Sequence, residues 1–337
     1  MDKITLKTKP YEHIGVIGAG AWGTALALVA AEAGRLVTLW AREPELVLAI
    51  NSHHENIRFL PGVPLPQALT ATGDMAQLRA ANTVLVVAPA QHLRATLVAL
   101  AGHIRPTTPL VLCAKGIERH TGKLLTEVLA ECAPDATPAV LSGPSFARDT
   151  ARRLPTAVTI AARKPIALRL QASLGHPTFR PYASSDLTGV ALGGAAKNVY
   201  AIGCGIVSGL GLGDSARAAL LARSFAELCR LGKTLGAKSE TLMGLSGLGD
   251  LVLTATSPAS RNFSFGFRLG EGRSRSELTA EGQPLAEGVE TASALVTRAA
   301  RQNIELPVAE AVADILDGRL SLAAAIPRLM ARPFKSE

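Results

Sequence analysis

The sequence predicts an α/β chain, with a doubly wound parallel sheet in its N-terminal part and an all-helical C-terminal part. Three observations carry this. Residues 13–41 read as strand, glycine turn, helix, glycine stop and strand; short apolar runs then recur along the first half; and beyond about Asp186 long Ala/Leu/Gly stretches with helical spacing replace them. At roughly 150 residues per domain, a chain of 337 residues holds two domains, placed at 1–189 and 190–337.

The elements follow in order. Ile14-Gly15-Val16-Ile17 is a strand, residues 24–33 form a helix stopped by Gly34, and Leu36-Val37-Thr38-Leu39-Trp40 is the second strand, which completes a βαβ unit. Apolar runs at 84–88, 109–114, 139–141 and 157–161, most of them ending in Gly, Pro or Ser, predict further parallel strands. Helical spacing covers 216–235, 291–303 and 308–316, while 270–276 reads as an exposed loop.

Composition narrows the function classes. With 48% hydrophobic and 18% charged residues the chain is folded and not disordered, and its 4% aromatic content makes the core aliphatic. An excess of 35 Lys+Arg over 27 Asp+Glu, a net charge of +8, predicts an anionic partner: nucleic acid, lipid headgroup or phosphorylated metabolite. The absence of an arginine–aromatic strip argues against nucleic acid, with the basic tail at 328–335 as the remaining electrostatic route. Cys113, Cys132, Cys204 and Cys229 lie far apart and read as buried thiols of a reducing compartment. Residues 1–9 are polar and carry no apolar run, so no secretory signal is expected and the predicted location is cytoplasmic. The seven histidines have no metal-ligand spacing, His53-His54 reads as solvated, and no metal site is predicted.

Gly18-Ala19-Gly20-Ala21-Trp22-Gly23 fits G-x-G-x-x-G directly after a strand and at the start of a helix, the context that turns a weak motif into a dinucleotide site. The first glycine permits the tight turn, the second the approach of a pyrophosphate, and the third close helix–strand packing, while the helix N-terminus supplies N–H donors. The expected architecture is therefore a Rossmann domain. After the second strand, Arg42 suits the 2′-phosphate of NADP and Glu43 the ribose hydroxyls of NAD, so both cofactors stay open; the alternative for Arg42 is an ordinary solvated arginine.

In residues 187–213 the only ionisable side chain besides Tyr200 and Cys204 is Lys197. In a helix over 193–206 its neighbours at i−4 and i+4 are Gly193 and Ala201, so its own helix offers no carboxylate. Desolvation would lower the pKa of such an ammonium toward neutrality, as suits a proton donor and acceptor. The rival readings are a lysine snorkelling to solvent and a membrane span; eight glycines and the mid-segment Lys197-Asn198 pair argue against the span. Lys115 follows the run Val111-Leu112-Cys113-Ala114 at a strand's carboxyl end, and Ser142-Gly143-Pro144-Ser145 ends another strand. Asp250, in the glycine turn Gly247-Leu248-Gly249-Asp250, can hold an ammonium such as Lys197. Ser257, Ser260, Arg261 and Asn262 offer the donors that grip a phosphate. Singly, each of these residues reads better as a cap or turn; together they supply a base, a counter-charge and an anion clamp.

The stretches Gly18-Ala19-Gly20-Ala21-Trp22-Gly23-Thr24, Ala114-Lys115-Gly116, Ser142-Gly143-Pro144-Ser145-Phe146-Ala147, Gly193-Gly194-Ala195-Ala196-Lys197-Asn198-Val199, Gly247-Leu248-Gly249-Asp250-Leu251-Val252-Leu253-Thr254 and Ser260-Arg261-Asn262 occur in an order that closely resembles the bacterial NAD(P)-dependent glycerol-3-phosphate dehydrogenases. The resemblance runs from about Ile14 to the C-terminal helices. It implies a homodimeric cytoplasmic enzyme that interconverts dihydroxyacetone phosphate and sn-glycerol 3-phosphate for phospholipid synthesis; composition and the glycines of 187–213 separately predict no nucleic-acid partner and no stable membrane insertion. The resemblance makes Lys197 the proton donor and, in reverse, the base; Lys115 orients substrate, and Asp250, Asn198 and Thr254 position Lys197 and the substrate oxygens. Gly143, Ser145, Ser260, Arg261 and Asn262 would line the substrate pocket. Gly18, Gly20, Ala21, Trp22, Gly23, Arg42, Lys115, Ala147, Arg261 and Glu287 match cofactor-contacting positions; Ala21 stands where the family often has serine, a change of little consequence where backbone N–H groups hold the pyrophosphate. The competing readings are a dehydrogenase of the β-hydroxyacid type, whose G-x-x-x-K-x-x-x-N pattern Gly193 and Lys197 fit and Ala201 breaks, and a nonenzymatic NAD(P)-sensing protein.

Overall fold

The computed structural model describes residues 8–280, 282–283 and 285–331; residues 332–335 of the basic tail lie outside the described residues. Two compact units result, one of Met1–Ala114 with Leu125–Val190 and one of Lys115–Leu124 with Ala191–Glu337. The first unit carries β1 (His13–Ile17), α1 (Ala21–Glu32), β2 (Leu36–Trp40), α2 (Pro44–His53), β3 (Leu69–Thr72), β4 (Thr83–Val86), α3 (Leu93–Ala101) and β5 (Pro109–Leu112). It continues with α4 (Leu125–Cys132), β6 (Thr137–Ser142), α5 (Ala147–Ala151), β7 (Thr156–Ala161), α6 (Lys164–Leu174) and β8 (Phe179–Ser184).

The eight strands form one sheet in the order β3-β2-β1-β4-β5-β6-β7-β8. β4 and β5 are buried along their whole length, as strands covered on both faces must be, which is why they read as unbroken apolar runs. β1 is flanked by β2 and β4, so the strand order reverses there, the place where doubly wound sheets bind ligands. The run at 157–161 is a strand but not a parallel continuation: β7 pairs antiparallel with β6 from Val140↔Ala161 to Ser142↔Thr159, and parallel with β8. Alternation of apolar residues marks a strand and carries no direction. β3 and β8 were not among the expected strands; β8 alternates buried and exposed residues and holds Pro181 at the sheet edge, where a missing N–H costs nothing.

The second unit is helical throughout its described residues after α7 (Leu187–Gly209): α8 (Gly213–Thr234), α9 (Ser239–Met243), a π-turn at Leu245–Gly249, α10 (Asp250–Thr256), α11 (Arg261–Gly270), α12 (Arg275–Leu278), α13 (Glu287–Ala300), α14 (Pro307–Leu316) and α15 (Leu322–Met330). The expected loop at 270–276 ends early, because Ser274 accepts from Glu277 N and Glu277 reaches back to Ser274 N, a capping box that starts α12 at Arg275. α7 is long and apolar enough to cross a bilayer, yet 89% of its apolar window is buried inside the protein. Its glycines serve helix contact instead: a Cβ on Gly205 would stand 2.1 Å from the Phe263 carbonyl, and one on Gly266 of α11 2.0 Å from the Ile202 carbonyl. The two backbones therefore touch, and this contact brings the 260–262 segment to the middle of α7.

Glu227 is a charged residue on the buried stripe of α8 with Ser224, Leu228 and Leu231, 2% exposed. Its carboxylate accepts from Val308 N at 2.7 Å and Ala309 N at 3.2 Å and so caps α14 from a different helix. Burial, outweighing these bonds, pushes its pKa up from 4.5 to about 7. A carboxyl that holds its proton more tightly folded than unfolded stabilises the fold below pH 4.5, and that contribution is lost as pH rises to about 7. Glu227→Gln is expected to flatten the fall of Tm between pH 5 and 8; over that window the two proteins should diverge by on the order of 3 kcal/mol. Parallel Tm curves for the two proteins would contradict this origin.

Candidate active site

The first unit supplies a dinucleotide cradle. Gly18, at φ +103°, ends β1 against the chain that leaves β4: its N–H donates to the Trp40 carbonyl at 3.1 Å, and an added Cβ would lie 3.2 Å from the Val87 carbonyl. At Gly23 an added Cβ would lie 1.8 Å from the Gly18 carbonyl, so α1 packs this closely only without a side chain there. Gly20 is different: a Cβ on it meets nothing within 4 Å, leaving open space over the turn. As N-cap of α1 it offers no side-chain acceptor, and the first turn, which starts at Ala21, holds no acidic residue, so the leading N–H groups suit an external diphosphate. Trp22 adds a buried Nε1 with no hydrogen-bond partner. These residues fit a dinucleotide. Beyond β2, Arg42 Nη2 pairs with Glu43 Oε1 at 2.9 Å, the arginine 81% exposed, so the two residues that favour opposite cofactors are joined to each other. Elsewhere in this unit, Gly143 takes φ +150° against Val158, Ser145 Oγ donates to the Gly143 carbonyl at 3.0 Å, and Ala147 begins α5.

The second unit holds a charged cluster. Lys197, 6% exposed, extends from the middle of α7, and the π-turn aims Asp250, 1% exposed, at it; a Cβ on Gly193 would strike the Ser246 carbonyl, so this glycine lets the turn sit directly on α7. Asp250 is thus the first residue of a helix, and Leu251-Val252-Leu253 continues that helix. Its two oxygens are divided between two ammonium groups: Oδ1 accepts from Lys197 Nζ at 2.5 Å and Oδ2 from Lys115 Nζ at 2.7 Å. Thr254 Oγ1, one turn along α10, accepts from Lys197 Nζ at 2.8 Å and donates to Asp250 Oδ1 at 3.3 Å. Burial drives the Lys197 pKa down to about 7; the Asp250 charge works against that shift and the Lys115 ammonium adds to it. When Lys197 is protonated, two ammonium groups share one carboxylate, and the excess positive charge in a site almost closed to water favours an anion.

A chain of amides fixes the rest. Asn198 Nδ2 donates to the Lys115 carbonyl at 2.8 Å, Asn262 Nδ2 donates to Asn198 Oδ1 at 2.9 Å, and Gly288 N donates to Asn262 Oδ1 at 2.9 Å. Backbone groups at both ends dictate which way each amide points. Of the expected site residues, Lys115, Lys197, Asn198, Asp250, Thr254 and Asn262 therefore form one network. Ser260 lies outside it as the N-cap of α11, accepting from Phe263 N, and Ser257 accepts from Ala259 N in the preceding turn. Arg261 is exposed at the start of α11, and Glu287 opens α13. Gly288 was not expected; a Cβ there would come within 2.5 Å of the Asn198 carbonyl, and nothing in a single sequence marks such a contact.

Models of the N- and C-terminal parts of NAD-dependent glycerol-3-phosphate dehydrogenase match residues 13–167 and 186–327. The chain is 57% identical over 331 residues to the glycerol-3-phosphate dehydrogenase [NAD(P)+] of Parvibaculum lavamentivorans, covering 98% of this chain and 99% of that one. It is 58% identical over 328 residues to the protein of the same name from Bradyrhizobium sp. strain BTAi1, covering 97% and 99%. Among solved structures, glycerol-3-phosphate dehydrogenase from Coxiella burnetii superposes with a TM-score of 0.91 at 38% identity, over 96% of this chain and 99% of the other.

Proposed function

Because the chain belongs to the NAD-dependent glycerol-3-phosphate dehydrogenase family, we propose that it interconverts dihydroxyacetone phosphate and sn-glycerol 3-phosphate with NADPH or NADH. The observation that carries the reading is the Lys197–Asp250–Lys115 cluster, a buried proton source beside a second cation. Gly18, Gly20 and Gly23 with the N-terminus of α1 would hold the nicotinamide cofactor, whose chemistry would be hydride donation to the ketone carbon. Lys197 Nζ then gives a proton to the oxygen on which charge develops, and in the reverse direction takes it back; a pKa of about 7 makes both directions accessible near neutral pH. Thr254 and Asp250 hold Nζ in one orientation, so no reorganisation is needed at the moment of transfer. Lys115, whose Nζ donates to Asp250 Oδ2, attracts the phosphorylated substrate. The family likeness makes Gly143, Ser145, Ser260, Arg261 and Asn262 substrate contacts and Ala147 and Glu287 cofactor contacts. The same likeness supports a cytoplasmic homodimer that feeds phospholipid synthesis.

The test follows absorbance loss of NADPH, and separately NADH, on addition of dihydroxyacetone phosphate against unphosphorylated dihydroxyacetone. Turnover is expected with the phosphorylated ketone and at least one cofactor, with kcat/KM lower by at least about a hundredfold for dihydroxyacetone, since the cationic site would be left without its anion. No turnover of the phosphorylated ketone with either cofactor would overturn the reading.

A further inference from the structure

Lys115 enters the cluster at the head of a ten-residue segment, Lys115–Leu124, that joins the helical unit although the chain on both sides belongs to the sheet unit. The segment is a closed loop: Ile117 bridges Leu124, Glu118 N donates to the Lys123 carbonyl at 3.0 Å and Gly122 N to the Glu118 carbonyl at 2.8 Å, with Ile117 and Leu124 buried in the helical core. One face of α13, formed by Glu290, Ala294 and Arg298 and continued by Arg301 just past its end, fastens this loop. Arg119 Nη1 meets Glu290 Oε2 at 2.6 Å, Arg298 Nη1 donates to the Gly122 carbonyl at 3.2 Å, and Arg301 Nη1 donates to the Thr121 carbonyl at 2.7 Å. Gly122, at φ +67°, lies so close that a Cβ would stand 3.3 Å from Arg301 Nη1 and 3.9 Å from the Ala294 carbonyl. The first turn of the same helix reaches Lys115 by the other route, from Gly288 N through Asn262 and Asn198 to the Lys115 carbonyl. Two guanidinium groups are committed to the carbonyls of this loop.

We propose that α13 is the positioning element for Lys115: Arg298 and Arg301 are positioning residues that, through the 117–124 loop, fix where the Lys115 ammonium stands on Asp250 and hence where the substrate's anionic group is received. The proposal rests on the reading of Lys115 as a substrate contact. Hydrogen bonds from a charged donor to two adjacent carbonyls hold a loop more firmly than apolar contact alone, because each fixes a direction as well as a distance.

The experiment compares wild type with Arg298→Met/Arg301→Met and Arg298→Lys/Arg301→Lys. The methionine pair is expected to raise KM for dihydroxyacetone phosphate about tenfold, with KM for NADPH unchanged and the pH midpoint of kcat, which reports Lys197, unmoved. The lysine pair, which keeps a donor at each position, is expected to recover most of the loss. An unchanged KM for the ketone, an equal rise in both KM values, or no recovery by lysine would overturn the proposal. Should the methionine pair fail to fold, the exposed Arg301→Met alone carries the same comparison. A second readout needs no turnover: trinitrobenzenesulfonate labelling of Lys115, located by peptide mass, is expected to be several-fold faster in the methionine pair, and an equal rate would overturn the proposal. Absence of turnover in wild type would overturn the proposed reaction alone and leave this labelling result to decide the role of α13.

Discussion

Lys197→Met is expected to lower kcat for ketone reduction by about a thousandfold while NADPH binding stays within a factor of two or three of wild type. Methionine keeps the length of the side chain and its apolar contacts within α7, and removes only the proton that Nζ holds between Asp250 and Thr254. The glycine turn proposed to hold the cofactor lies in the other unit. Single-turnover absorbance and fluorescence titration of NADPH separate the two effects; near-normal turnover would remove Lys197 from the mechanism. The wild-type pH profile tests the same group. Reduction needs the ammonium, so its rate should fall as pH rises past about 7, while oxidation, which needs the free amine, should rise over the same range. Stability carries the matching sign. Lys197 binds its proton less tightly folded than unfolded, so its burial costs stability below about pH 7, and the cost fades as pH approaches 10.5.

Asp250→Asn is expected to be as damaging to turnover and more damaging to the fold. One carboxylate neutralises two ammonium groups, which are 12% and 8% exposed at their side chains; with an amide in its place they face each other without a counter-charge. Loss of one partner from a buried ion pair costs about 3–5 kcal/mol, a loss that denaturant unfolding would read directly. The surviving activity should require more acid conditions, because the charge that holds the Lys197 pKa up is gone while burial and Lys115 still push it down. A variant with wild-type stability and an unshifted profile would mean that Asp250 is not the shared counter-ion.

Much of this site was legible in the chain because its signals are local. The glycine turn announces itself between a strand and a helix, and Lys197 stands out as one cation in a long apolar run, since composition and spacing within a few residues decide both. Glu227 was not singled out in the sequence, because the N–H groups it caps lie 81 and 82 residues away. The edge strand β8, half exposed and interrupted by Pro181, leaves little periodic signal, and the start of α12 turns on the reciprocal bonds of Ser274 and Glu277.

The sequence by itself determined the order of elements, the glycine turn, the helical second half and the residue types available for proton transfer, because backbone preference and hydrophobic period act over a few residues. Only the tertiary structure decided which charges meet. Lys197 and Asp250 are 53 residues apart and Lys115 and Asp250 are 135 apart, and their pairing depends on the π-turn seated against Gly193 of α7. The same holds for the antiparallel setting of β7, for the amide chain that ends at Gly288, and for the loop that α13 fastens behind Lys115. Each depends on distances across the folded chain, and spacing along the sequence does not encode them.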